Sequence, residues 1–368
     1  MKKQLFLLCC FLLVLASCGT KKEDDTVVQE EDESEQEVSI IPEDSLSDNQ
    51  YKMLLPFKPS EARNTLTNQI SNRVDIDEFE QGLRRHSTST FDPDKYVFEE
   101  GQYLDEDTIY DLIEDINPDV DEKDSKEKHE DNPRVFSHVL EQNYLKQNDD
   151  NEVDLAGISI GISLKSVYQF ETKDGGPYFE DISEKERKKI GEKAAQKALD
   201  EIRDTEGLEN VPVMIALFSE EEQSSPVPGY FMQKTNVSKD EDEIGKWENI
   251  TEEHVLVPSD EAKDDRSEDN QKVEALGEEI EDYFPNYVGI TGDAFYVDED
   301  LKKLSLELPI EFYGKVEVVG FTQFLYSQVQ EIFPNHYDLE LTVTSSDGVE
   351  SVIYQKAGAE KPKVHIFH

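Results

Sequence analysis

Three kinds of residue in this 368-residue chain stand where they could do chemistry: a thiol behind small residues, a serine between glycines, and carboxylates gathered in loops. The thiol is Cys18, which closes the run Leu15-Ala16-Ser17-Cys18. Branched apolar, small, small, cysteine is the form of a bacterial lipobox. Small side chains let the segment enter a tight protease site in extended form. The sulfur takes a diacylglyceryl group as a thioether, and cleavage of the Ser17–Cys18 bond leaves Cys18 as the new N-terminus. The residues ahead of it fit. Lys2 and Lys3 make a basic start, and the apolar run from Leu5 to Ala16 is too short for a bilayer core, which needs about 20 residues. Residues 1–17 are therefore expected to be a lipoprotein signal peptide. The rest is expected on the outer face of the cell membrane, held by lipid on Cys18, with lipoprotein-processing enzymes as its first partners. Cys9 and Cys10 leave with the signal peptide, so the mature chain keeps no thiol for a disulfide, a zinc site or covalent catalysis.

The serine is Ser159, in Gly157-Ile158-Ser159-Ile160-Gly161. A hydrolase nucleophile in this motif sits on a sharp strand-to-helix turn. Here Ile158, Ile160 and Ile162 alternate with small residues, the pattern of a strand interior, so no nucleophile is assigned. Among the acid-rich loops, Asp119, Asp121 and Glu130 have part of a calcium-loop spacing. The sharp-turn glycine is missing, however, and Lys123 takes a ligand position. Asn148 to Asp154 is similar and incomplete. The histidines (His86, His129, His138, His254, His336, His365 and His368) form no His-Glu-x-x-His or other close metal pair, and each reads as a surface or packing residue. Tyr168, Phe170, Tyr178 and Phe179 could line a ligand ledge, though aromatics at strand spacing more often pack a sheet against helices. No catalytic residue, metal or cofactor follows from these motifs.

The charge balance is lopsided, with Asp+Glu 85 against Lys+Arg 37 and a formal charge of -48. Such a surface repels nucleic acid and anionic lipid headgroups. Because the acids are spread along the chain, they read as a solvated surface suited to saline or alkaline surroundings.

The elements that must carry these residues follow from periodicity. Residues 18–49 are rich in Glu, Asp, Ser and Gln and are expected to form a disordered acidic tether. Beyond Tyr51 a mostly helical region is expected. One helix carries Ala62, Leu66 and Ile70, and a second opens at Asp77 with Glu80 as its capping-box partner. A third is capped by Asp105 and carries Ile109, Leu112, Ile113 and Ile116. A fourth follows Asn132-Pro133 with Phe136, Val139 and Leu140. Asp119 to Asp131 reads as a loop. From Val153 the period changes to two. Ile158 to Leu164 is a strand, and Ser183 caps a helix with Ile190, Ala194, Ala198 and Ile202 on one stripe. Val211–Phe218 and Tyr230–Val237 are strands. The last third repeats that order: strand at Leu304–Phe312, helix at Val318–Phe333, strands at Tyr337–Thr344 and Val352–Lys356. Before it come an acidic run at Asp260–Asp269 and a helix with Val273, Leu276, Ile280 and Phe284. The expected fold is α+β: a helical N-terminal region, then two related strand-helix-strand-strand repeats forming small antiparallel or mixed sheets with packed helices. Residues 50–240 hold the helical region and the first repeat, and 241–368 the linker helix and the second.

Several stretches resemble the CamS family of sex pheromone lipoproteins of Gram-positive bacteria. They are Tyr51-Lys52-Met53-Leu54-Leu55-Pro56-Phe57-Lys58-Pro59-Ser60-Glu61-Ala62-Arg63, Gly101-Gln102-Tyr103-Leu104-Asp105, Leu308-Pro309-Ile310-Glu311-Phe312-Tyr313-Gly314, Gly320-Phe321-Thr322-Gln323 and Val364-His365-Ile366. The resemblance implies a lipid-anchored surface protein with two related α+β repeats. It also implies a second product, a short apolar peptide ending just before the lipid-bearing cysteine, which in some members is a conjugation pheromone. The corresponding stretch is Phe11-Leu12-Leu13-Val14-Leu15-Ala16-Ser17. It leaves the mature domain's role open. A non-enzymatic surface protein is the leading expectation. A module binding a cell-wall or peptide ligand between the two repeats is the second, and a hydrolase with scattered carboxylates the third.

Overall fold

Two mixed β-sheets organise the chain in the computed structural model, which describes residues 26–31, 35–42, 50–60, 62, 75–148 and 152–368. The signal peptide, Cys18, the stretch Phe11–Ser17 and the helix expected through Leu66 and Ile70 lie outside the described residues.

The expected tether includes a strand pair, β1 (Thr26–Glu31) antiparallel to β2 (Glu35–Ile40). Thr26, Val27, Val28, Val38 and Ile40 supply strand-forming, β-branched residues amid the acid. Next come β3 (Lys52–Met53), α1 (Ile76–Ser87), β4 (Val97–Glu100), α2 (Glu106–Ile116), α3 (Lys126–Asp131), β5 (Phe136–Gln147) and β6 (Val153–Lys165). A ribbon of β7 (Val167–Thr172) and β8 (Gly175–Asp181) leads to the long helix α4 (Glu184–Asp204). The strands β9 (Val213–Glu220), β10 (Tyr230–Val237) and β11 (Glu248–Asn249) complete a seven-stranded sheet in the order β11-β10-β9-β6-β5-β4-β3. Its centre is the parallel pair β6–β9, joined through α4; β5 and β10 flank that pair antiparallel.

The helices form where local chemistry starts them. Asp105 accepts the Thr108 amide at 2.8 Å and opens α2, whose Ile109, Leu112, Ile113 and Ile116 are buried on one stripe. Ser183 accepts the Glu186 amide and opens α4, burying Ala194, Ala198 and Ile202. Asp75, rather than Asp77, caps α1. Ser125 caps the short α3 inside the stretch read as a loop.

The expected helical N-terminal region is corrected at 136–147. There the chain is the strand β5, paired with β6 on one side and β4 on the other. The first ten of its twelve residues are buried on both faces, so no alternation marks it as a strand. Phe136, Val139 and Leu140 imitate a helical stripe only because every position is inside. α2 and α4 cover one face of this sheet, and α1 with Phe91 covers the other.

The second sheet is built from β12 (Glu252–Val257), β13 (Thr291–Val297), β14 (Asp300–Pro309), β15 (Asp338–Ser345), β16 (Gly348–Gln355) and β17 (Lys363–Ile366), in that order. Helices α5 (Asp260–Asp265) and α6 (Ser267–Glu281) follow β12, and α7 (Lys315–Ile332) joins β14 to its parallel neighbour β15. The acidic run at 260–269 is therefore helical. β13 and β16 flank the parallel pair antiparallel, as β5 and β10 do in the first sheet. Val273, Leu276 and Ile280 of α6 and Phe321, Leu325 and Val329 of α7 pack on the inward residues Leu304, Leu306, Leu308, Leu339, Leu341 and Val343.

Candidate functional site

The serine motif is a packing device. Gly157, Ser159 and Gly161 share one face of β6, and a Cβ on Gly157 would meet the Phe91 ring at 2.2 Å. A Cβ on Gly161 would meet Phe79 at 2.7 Å. The bare strip lets α1 and the chain after it lie directly on the sheet. Ser159, fully buried, shares a 2.7 Å hydrogen bond with the Ser87 hydroxyl. It lies mid-strand, on no elbow.

Gly101-Gln102-Tyr103-Leu104 is likewise explained by one carboxylate. Glu141 of β5 accepts the amides of Gln102 at 3.1 Å, Tyr103 at 3.1 Å and Leu104 at 2.7 Å. Gly101 is required because a Cβ there would fall 2.4 Å from the Glu141 Cβ. Burial pushes the Glu141 carboxyl up against the pull of those three amides.

The histidines divide by environment. His138 is buried in β5, and desolvation pushes it down to about 3, so it is neutral. The ring of His129 stacks on Phe170 at 4.6 Å; its Nδ1 is 2.9 Å from the Tyr168 hydroxyl and its Nε2 is 3.0 Å from the Asp121 carbonyl. Since a carbonyl only accepts, Nε2 donates to Asp121. His254 belongs to an ionic seam between the two sheets. On the α1 side stand Glu78, Arg85 and His86; on the second sheet stand Glu252 and His254 of β12 and Asp293 of β13. Arg85 Nη2 lies 2.8 Å from Glu78 and 3.0 Å from Glu252, and its guanidinium covers the Phe295 ring at 4.6 Å. His86 Nε2 is 3.0 Å from Glu252, and His254 Nδ1 is 2.9 Å from Asp293. Burial opposes charge on His254, but the hydrogen bonds and charges of Asp293 and Glu78 outweigh it and raise the imidazole to about 9. Burial would likewise raise Glu78 and Glu252. For Glu78, His254 and Arg85 reverse that shift; for Glu252, His86 and Arg85 do so, and both carboxyls end below their ordinary value. The seam thus sets the Arg85 and His254 cations against the Glu78 and Glu252 carboxylates and joins the sheets.

An open groove of about 520 Å³ lies at the end of β6, between the loop around Asp121 and the β7 ribbon. Arg134 and Lys165 enter it, and His129, Tyr168 and Phe170 line it. Among the described residues no group of three or more His, Cys, Asp or Glu side chains is placed to hold a metal, and no helix is long and apolar enough to cross a membrane. The lipid attachment and cleavage residues Cys18 and Ser17 fall outside the described part. The seam and the groove were not singled out from sequence. The seam's members lie up to 215 positions apart, Glu78 to Asp293, and nothing local marks them. Lys165 did carry a signal, as a cation closing the apolar run Ile158–Leu164.

Two mixed sheets, each with a parallel pair joined through a helix and packed against helices, define a mixed α/β module. The chain belongs to the CamS sex pheromone cAM373 precursor family, whose model matches residues 57–361. It is similar to the crystal structure of the sex pheromone precursor from Lactobacillus salivarius subsp. salivarius UCC118, with TM-score 0.79 and 27% identity over 88% of this chain and 98% of that one. It is also similar to the C-terminal domain of the sex pheromone staph-cAM373 precursor from Staphylococcus aureus, with TM-score 0.69 and 25% identity over 80% and 97%. No curated protein sequence matches it.

Proposed function

We propose that this chain is a lipid-anchored surface precursor with two products. Residues 1–17 direct export, the Ser17–Cys18 bond is cleaved, and Cys18 carries diacylglyceryl lipid on the outer face of the cell membrane. Phe11-Leu12-Leu13-Val14-Leu15-Ala16-Ser17, trimmed from the signal peptide, is the candidate pheromone. It is uncharged apart from its termini, so it partitions into membranes readily. The mature domain has a non-enzymatic role, and its two sheets are diverged copies of one strand-helix-strand-strand unit. The observation that carries the reading is the lipobox Leu15-Ala16-Ser17-Cys18 at the head of a chain whose family is described as a precursor.

The test is Cys18→Ala in a Gram-positive host. Wild-type chain should fractionate with membranes and incorporate labelled fatty acid, and mass spectrometry of the medium should find the Phe11–Ser17 peptide. The variant should lose the label and the cut at Ser17. Continued membrane partition with trimming at the same bond would sink the proposal.

A further inference from the structure

The parallel pairs β6–β9 and β14–β15 end in matching places. In each, the first strand runs off the sheet and the chain returns through a helix to the second. Crevices outside the carboxyl ends of parallel strands are where open α/β sheets hold ligands. Both ends here carry a groove. The one beyond β14, about 380 Å³, is walled by Tyr287, Val288, Phe312 and Tyr313 with Glu311 beside them, and no cation lines it. The one beyond β6 differs in charge.

Lys165 is the last residue of β6, and its backbone amide bonds to the Val135 carbonyl at 2.9 Å, which brings Arg134 alongside. Arg134 donates one N–H to the Pro118 carbonyl at 3.1 Å and lines the groove beside Lys165. Among the described residues neither cation has a carboxylate within ion-pair distance, whereas Lys123 at the rim is paired with Asp121. In a chain with 85 acidic and 37 basic residues, two adjacent unpaired cations run against the odds. The acid in register with Lys165 is Glu220 on β9. Its Oε1 accepts from Ser163 at 2.6 Å, while Oε2, fully buried, has no hydrogen-bond partner. Burial raises the Glu220 carboxyl against the pull of Ser137, Ser163 and Lys165. The Lys165 ammonium is pushed down by burial and by Arg134, against the pull of Glu220, and a bound anion would offset that desolvation.

We propose that this groove binds a compact anionic group, carboxylate or phosphate, between Lys165 and Arg134, with the ligand's apolar body along the ribbon that carries Tyr168 and Phe170. An arginine fork beside an ammonium suits either oxyanion. Asp121, Glu122 and Glu171 at the rim, and the charge of the whole chain, disfavour a polyanion and restrict the ligand to a single anionic head.

The test titrates benzoate, phenyl phosphate and benzyl alcohol into the isotope-labelled chain and follows amide NMR shifts. Saturable shifts at Arg134, Lys165 and Gln169 are expected with the anions and none with the alcohol. Preference for phenyl phosphate identifies phosphate as the natural head, and preference for benzoate identifies carboxylate. Lys165→Met and Arg134→Gln should each weaken binding at least about tenfold, the worth of one charge-assisted hydrogen bond. Lys165→Arg should keep most of it, and Lys303→Met on the second sheet should change nothing. Shifts outside the groove report whether each variant is folded; if Lys165→Met is not, Arg134→Gln decides. Absence of saturable shifts with both anions, equal binding of benzyl alcohol, or undiminished binding by the folded charge-removing variants would overturn the proposal.

Discussion

At the scale of single residues, much of what looks like chemistry in this sequence is packing. Gly157 and Gly161 flank Ser159 because aromatic rings occupy the space their side chains would need, not because a nucleophile must be exposed. Gly157→Ala should therefore destabilise the fold by about 1–3 kcal/mol, the usual cost of overpacking a filled core. Ser159→Ala should cost only about 1 kcal/mol, because Ser87 keeps its bond to the Leu83 carbonyl at 2.7 Å. Urea unfolding of the two variants checks the order. If Gly157→Ala unfolds at the wild-type midpoint while Ser159→Ala does not, the ring moves aside freely and the packing account fails.

At the scale of elements, legibility followed burial. β14, β15 and the helices α2 and α4 expose one side, so their sequences alternate or stripe and were readable to within a few residues. β5 is sealed on both faces and carries Glu141, Gln142 and Asn143 inside; each bonds to distant backbone, such as Gln142 Nε2 on the Glu80 carbonyl at 2.8 Å. No local pattern announces such partners. The seam between α1 and β12–β13 was invisible for the same reason, and it sets a pH window. His254 has a folded value of about 9 against an ordinary 6.5, so its contribution is full below 6.5 and lost as pH rises through 9. Glu78 and Glu252 are held below 4.5, so theirs is present above 4.5 and lost as pH falls through their lowered values. The seam should hold the sheets best between those limits. With its ring 5% exposed, His254→Gln leaves Asp293 without its cation, while Glu78 keeps Arg85, and should cost roughly 3 kcal/mol near neutrality. Thermal melts across pH should show the alkaline fall in the wild type and its absence in the variant. An unchanged alkaline limb would mean that His254 is not the group responsible.

At the scale of the whole molecule, the dominant physical fact is a formal charge of -48 carried by 85 acidic residues. Folding crowds these groups at shorter distances than the expanded chain does, so their repulsion counts against the native state. The internal ion pairs recover only part of it. Many, such as Lys126–Glu130 and Lys302–Asp300, are solvent-facing and worth little each. Screening weakens the rest as salt rises, since the Debye length shrinks from about 10 Å at 0.1 M to about 3 Å at 1 M. The chain without residues 1–18 should therefore melt at a higher temperature in molar NaCl than in dilute buffer, by about 1–2 °C for each kcal/mol of repulsion removed. The seam is shielded from this trend by its burial, with the Glu252 side chain 1% exposed, so the gain should survive His254→Gln. Calcium separates two causes. If charge relief is the whole effect, millimolar calcium acts only through its ionic strength and valence, without saturating. A steep shift that saturates at one or two ions would instead place a specific site in the acidic loops around Asp119 or Asn148, and a flat response to NaCl would remove the repulsion argument altogether.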